Sequence, residues 1–323
     1  MSEHRRRAGG LLALAVGVAA LACDRGEPEE AALSEAAAVL EDLGSSTHPA
    51  WSPDGSSIAF ISNREGVRAE RPINFEVYRA GADGAGESRL TFNQDFEADA
   101  DWSPDGSRIL FKSYRDGNDE IYVMDADGEN QSNLTRSAAS DGGGAWSPSG
   151  SEILFSSDRD SEDGSRLHLM DPDGSNVRLL PNDPGPGYLG RWSPDGNRIA
   201  FNSSRDGNDE VYVMDADGSN VRRLTDNPDA DTYPRWSPDG LSVAYTVGSF
   251  ETDRWSVWLM DADGGNKRLL IDDTDSGNVA WSPDGTRLLF GRYTTRGEGG
   301  GEQSRLFIFE LNGGAETPLG AAY

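Results

Sequence analysis

Few residues in this chain of 323 are suited to covalent or metal-assisted chemistry. There are three histidines, His4, His48 and His168, and one cysteine, Cys23. No G-x-S-x-G segment occurs, so a hydrolase serine elbow has no counterpart. His168 sits inside the apolar run Leu167-His168-Leu169-Met170 and reads as a packed side chain. His48, three residues before Trp51, has no ordering partner nearby in sequence and makes no acid–base pair by itself. Carboxylates are abundant. Asp125-Ala126-Asp127-Gly128 resembles part of a calcium loop and recurs from Asp215 and Asp261, with a Pro variant from Asp171. Calcium takes about six to eight oxygens, usually with a bidentate carboxylate closing the site. No acid stands at the closing position, so these segments read as Asx-type hairpin turns. Asp99, Asp141, Asp231 and Asp275 precede four of the six motif tryptophans and form a second candidate set for calcium or another cation.

The candidate binding residues are of another kind. Arg68 and Arg71 lie in one irregular segment, Phe250, Arg254 and Trp255 in a second, and Arg292, Tyr293 and Arg296 in a third. Arginine and aromatic side chains dominate interface hot spots. With a formal net charge of -27, such a cluster is a local reversal of sign. The competing reading is that these loops vary because nothing constrains them. The three segments are far apart in sequence and meet only if the fold brings them together.

The elements that would do so are repeats. Trp-Ser-Pro-Asp-Gly begins at Trp51, Trp102, Trp192, Trp236 and Trp281, and Trp-Ser-Pro-Ser-Gly begins at Trp146. A spacing near 45 residues is the signature of propeller blades. Pro presets φ, Asp bonds its own backbone and Gly accepts positive φ, so the motif is a strand end followed by a tight turn. In the unit beginning at Trp192, strands are predicted over 198–202, 210–214 and 221–225. Six such units of four strands fit within 46–323, the last closing with a strand over 316–319. One four-stranded sheet exposes two apolar faces, so the units must stack and close into a ring. In that ring the fifth, sixth and first units are neighbours. The eight arginine and aromatic residues then form one patch, and the four aspartates ring one mouth of the channel.

The stretch WSPDGNRIAFNSSRDGNDEVYVMDADGSNVRRLT at 192–225 resembles the WD40-like repeat of TolB-type β-propellers, and the resemblance runs through all six units. It implies an all-β, six-bladed propeller of four-stranded antiparallel blades. TolB carries an additional α/β domain before its propeller, which the 22-residue stretch here does not accommodate, so the role of TolB in envelope assembly carries over weakly. Propellers of prolyl oligopeptidase relatives precede a hydrolase domain that does not follow here.

The N-terminus reads as a signal peptide over 1–22, with a basic head at Arg5, Arg6 and Arg7 and a short apolar core. Ala20-Leu21-Ala22-Cys23 resembles a bacterial lipobox, which implies lipidation of Cys23; an ordinary signal peptide and a secreted soluble protein is the alternative. Residues 23–45 read as an acidic tether. Residues 37–41 within it fit a short helix or an extra strand that closes the ring, and helical spacing favours the helix.

The strong negative charge argues against nucleic-acid binding. The sequence therefore points to a monomeric binding or scaffold propeller on the periplasmic side of the envelope, anchored through its lipid, with no required cofactor. Its partner is an envelope protein or peptide held on one face. The alternative is a glycan lyase or hydrolase with carboxylates such as Asp99 and Asp231 at the channel mouth.

Overall fold

The computed structural model describes residues 45–64, 74–160, 164–249, 254–275, 278–297 and 300–319. Every regular element among them is a β-strand, and the strands form six four-stranded antiparallel sheets. Each sheet comes from one continuous stretch, so blades one to six span 46–89, 97–133, 141–179, 188–223, 230–274 and 280–318. The predicted strands at 198–202 and 210–214 appear as Arg198–Ser203 and Glu210–Asp215. The outermost strands are shorter than predicted, with only Arg222–Arg223 paired in blade four. The signal peptide, Cys23, the tether and the 37–41 segment lie outside the described residues, as do Arg68, Arg71 and Phe250.

The repeated turn is held by its own side chains. In blade two, Ser103 Oγ donates to Asp105 at 2.6 Å, and the amides of Ser107 and Arg108 donate to Asp105 and to Ser103 Oγ at 3.0 and 2.9 Å. These hydrogen bonds to the charged form hold the Asp105 carboxyl down at about 2. Gly106, at φ +70°, completes the turn, and a methyl group there would lie 3.7 Å from Pro53 of the preceding blade.

The apolar cores lie between blades. Trp236 of blade five packs with Ala200, Val211 and Val213 of blade four. Its burial is worth about 5 kcal/mol at ~25 cal/mol/Å². The ring closes in the same manner: Trp51, Phe60 and Tyr78 of blade one pack with Ala280, Leu289 and Leu306 of blade six. Arg287 of blade six lies 4.9 Å from the Trp51 ring, as Arg198 lies 4.5 Å from Trp236. The Ser304 amide donates to Ser45 Oγ at 3.1 Å across this seam.

The innermost strands carry one shared irregularity. In blades one to five the pairing register shifts just before the tryptophan. Three residues before each of those tryptophans, His48, Asp99, Gly143, Leu189 and Tyr233 all have φ between 50° and 64°. A bulge of this kind bends the strand and re-aims its side chains. Here it turns them toward the ring axis.

Candidate functional site in the central channel

The rings of His48 and Tyr233 meet edge to face at 5.8 Å. Blade six stands between their two blades, so the contact crosses the channel. Asp99 of blade two approaches on the other side, its Oδ1 3.9 Å from His48 Nε2. That is an ion-pair distance and too long for a hydrogen bond. Protein encloses the His48 ring, yet 19% of the side chain stays open to the channel. Burial lowers its proton affinity despite the opposing pull of Asp99 and Asp275. Burial also opposes ionisation of Asp99, but Lys112, His48, Arg191 and Arg235 together overcome it and hold the carboxyl below its ordinary value.

A second layer follows one residue before each tryptophan. Blades one, three and six place alanine there, at Ala50, Ala145 and Ala280, and blades two, four and five place Asp101, Arg191 and Arg235. Arg191 is 8% exposed and donates through Nη1 to the carbonyls of Gly143 and Gly190, at 2.8 and 2.9 Å. Any side chain at Gly143 would press on Ser156 and Leu189. Arg235 differs. Its guanidinium donates no hydrogen bond within the described residues, and Nη1 is buried without a partner. Burial and the neighbouring Arg191 bring its pKa down to about 9, so it remains charged at neutral pH. Burial raises Asp101, an effect partly offset by the two arginines. Neither arginine has a carboxylate within 4.0 Å among the described residues, because the Asp101 and Asp99 contacts are longer than that.

The channel opens onto the face that carries the loops entering each inner strand. Phe92 is 75% exposed there, Phe96 44% and Tyr114 47%. Phe96 meets Phe75 edge to face at 5.6 Å, and Arg89 lies 4.9 Å from the Phe92 ring. Lys112 Nζ stands 5.9 Å from the Phe96 ring and is the foremost cation acting on Asp99. The aromatic cluster is therefore continuous with the channel mouth.

The four aspartates do not form a ring. Asp99 lies in the channel, whereas Asp141 and Asp231 stand five residues before their tryptophans and are fully buried. In blades two and three that position anchors the arginine that stacks on the blade. Arg159 binds Asp141 at 2.8 Å, as Arg115 binds Glu97 at 2.9 Å. Asp275 stands one residue earlier still and accepts from Ser304 Oγ. Among the described residues no three His, Cys, Asp or Glu side chains converge to hold a metal ion.

The predicted arginine and aromatic patch is also altered. Trp255 is 2% exposed and belongs to the core, where Gly248 leaves room for its ring. Arg292 is engaged, donating to the carbonyls of Asp273 and Asp272 at 3.1 and 2.9 Å, pairing with Glu316 and stacking over Phe290 and Phe307. It does in blade six what Arg205 does over Phe201 and Tyr212 in blade four. Arg254 is exposed and Tyr293 half-buried, while the Arg296 side chain lies outside what is described. His168 is fully buried as expected, its Nε2 2.8 Å from Asp160 and its Nδ1 3.0 Å from the Arg166 carbonyl.

Comparison with known proteins agrees with this architecture. The family described as the TolB beta propeller domain matches residues 97–182, and the Tricorn protease N-terminal beta propeller domain matches 164–322. A TolB structure from Agrobacterium tumefaciens is 26% identical, with a TM-score of 0.62, covering 82% of this chain and 91% of that one. The chain belongs to the TolB-like propeller family. TolB from Acinetobacter baumannii aligns at 20% identity and a TM-score of 0.66, covering 90% of this chain and 69% of the other. An oligogalacturonate lyase in complex with manganese aligns at 15% identity and 0.56, over 86% and 78%, a likeness of fold alone. Shorter matches join the TolB-like repeats to the uncharacterized peptidase YuxL of Bacillus subtilis, 42% identical over 65 residues. They also join them to the uncharacterized protein Atu1656 of Agrobacterium fabrum, 37% identical over 67 residues. These span 20% and 21% of this chain but only 9% and 20% of the two relatives.

The sequence reading passed over Arg191, Arg235, Asp101, Phe92, Phe96 and Tyr114. The signal for the first three was a repeat position that is alanine in half of the TolB-like blades and charged in the rest. The aromatic cluster was passed over because blade two keeps the consensus loop length while changing its chemistry, with Tyr114 where blade four has Ser204.

Proposed function

We propose that this protein is an envelope-located binding module that holds a protein partner, through an extended peptide segment, on the loop-bearing face above the channel mouth. Lipidation at Cys23 would place it at a membrane surface. The supporting observation is the exposure of Phe92, Phe96 and Tyr114 on one face, with Lys112 beside Phe96, on a chain whose net charge is otherwise strongly negative. Large aromatic side chains exposed together mark interaction sites more often than single exposed apolar residues do. Arg254 and Tyr293 would add to the same face; Arg68, Arg71 and Phe250, outside the described residues, and Arg296 belong to it only as expected from the sequence.

Catalysis is the less favoured reading. His48 and Asp99 are too far apart for proton transfer as they stand, and Asp231 is sealed from any substrate. Affinity capture from envelope extracts, run with the wild-type chain and with a Phe96→Ala/Tyr114→Ala double variant, tests the proposal. A specific partner retained by the first and lost by the second supports it. Equal retention by both refutes the assignment of this face, and turnover of a glycan by the purified chain refutes the class.

A further inference from the structure

The two arginines of the channel are built in an uncommon way. Their inner strands, Tyr188–Trp192 and Ala230–Trp236, belong to adjacent blades. Each carbonyl accepts a hydrogen bond from the indole of the next blade: Trp236 Nε1 donates to Arg191 at 3.2 Å and Trp281 Nε1 to Arg235 at 3.1 Å. The backbones are thus fixed by the ring itself, and the guanidiniums project from rigid supports. Arg191 spends only Nη1 on the protein, and Arg235 spends no donor at all. A structural arginine in this fold looks different: Arg115, Arg159, Arg205 and Arg292 each stack on an aromatic ring and reach a carboxylate or a carbonyl oxygen.

Arg235 is half-buried and its Nη1 is buried without a partner; a buried donor left unpaired is costly to hold, and such groups persist where a ligand completes them. We propose that Arg191 and Arg235 form a carboxylate subsite in the channel, which receives an acidic side chain or the C-terminus of the peptide held at the mouth. The planar fork of each guanidinium matches the two oxygens of a carboxylate. His48, Tyr233 and Asp99 lie one layer nearer the mouth and flank the approach to the two arginines. The inference rests on the reading of the loop-bearing face as the partner surface.

The test uses the full mature chain and small probes followed by ligand-detected NMR. N-acetyl-Gly-Gly carries a free terminus, N-acetyl-Asp-amide a side-chain carboxylate, and N-acetyl-Gly-Gly-amide neither. At least one carboxylate probe is expected to bind tenfold or more tightly than the amide, and the better of the two names the source. Arg235→Gln is expected to weaken that probe at least tenfold, with a single cooperative melting transition showing that the variant remains folded. Equal binding of probe and amide, no binding of any probe, equal competition by inorganic phosphate, or an unchanged probe affinity in folded Arg235→Gln would each overturn the assignment. The Phe96→Ala/Tyr114→Ala variant should still bind the probe. Partner capture unchanged in that variant, with the probe still bound, would therefore fault the face and not the subsite.

Discussion

Asp231→Asn should make the propeller more stable in alkaline solution, by an amount the surroundings of Asp231 set. The carboxyl is fully buried, Oδ1 has no partner, and Oδ2 accepts from Asn227 Nδ2 at 2.6 Å, with Thr225 and Glu210 close by. Glu97 and Asp141, at the same place in their blades, have arginines beside them. Blade five has none, because its hairpin segment from Ser249 to Asp253 contains no arginine. Burial, helped by the nearby Glu210, therefore raises Asp231 from 3.8 to about 7. Because the folded state binds this proton more tightly than the unfolded state, the group favours folding fully below about pH 4. That contribution is lost as pH rises through about 7. At ~1.4 kcal/mol per unit, the ionised group costs the fold up to about 4 kcal/mol at pH 8. Asparagine keeps the shape and cannot ionise. Urea unfolding followed by tryptophan fluorescence should show the variant ahead by about 1–4 kcal/mol at pH 8, with the advantage gone at pH 4. A variant that loses stability equally at both pH values would refute the reasoning, since the ionised carboxylate would then have a stabilising partner.

Two further perturbations check the fold. Trp255→Ala should destabilise by about 3–5 kcal/mol, as removal of a fully buried indole does, and a melting temperature within a degree or so of wild type would return Trp255 to the surface. Ser149→Asp should restore the consensus turn in blade three, where Ser149 Oγ now makes contacts of 2.8 to 3.4 Å in place of an acceptor carboxylate. The gain should be about 0.5–1 kcal/mol at neutral pH. It should fade as pH falls from about 4 toward 2, the value to which the same hydrogen bonds depress Asp105 and Asp195. No change in urea midpoint at pH 7 would contradict the account of the turn.

Much of the architecture was legible because a propeller repeats its own constraints. A tryptophan, a turn and three short apolar strands recur, and each copy checks the others. The site was less legible because function lies in the departures. Asp99, Asp141, Asp231 and Asp275 look alike in sequence, yet a shift of two residues along a bulged inner strand moves a carboxylate from the channel into an anchoring pocket. Trp255 and Arg292 look like hot-spot residues, and their spacing gives no sign that Gly248 admits the indole or that Phe290 and Phe307 seat the guanidinium. Arg191 and Arg235 were visible as charges beside a tryptophan, but an unpaired Nη1 is a property of three-dimensional surroundings and not of sequence.

The central claim is that a partner binds over the aromatic rim of the channel. Once a partner is captured, its affinity for wild type and for Phe96→Ala/Tyr114→Ala decides the matter. The account predicts affinity lowered tenfold or more, about 1.4 kcal/mol or greater, with an unchanged melting temperature. An affinity equal to wild type in a folded double variant would contradict it.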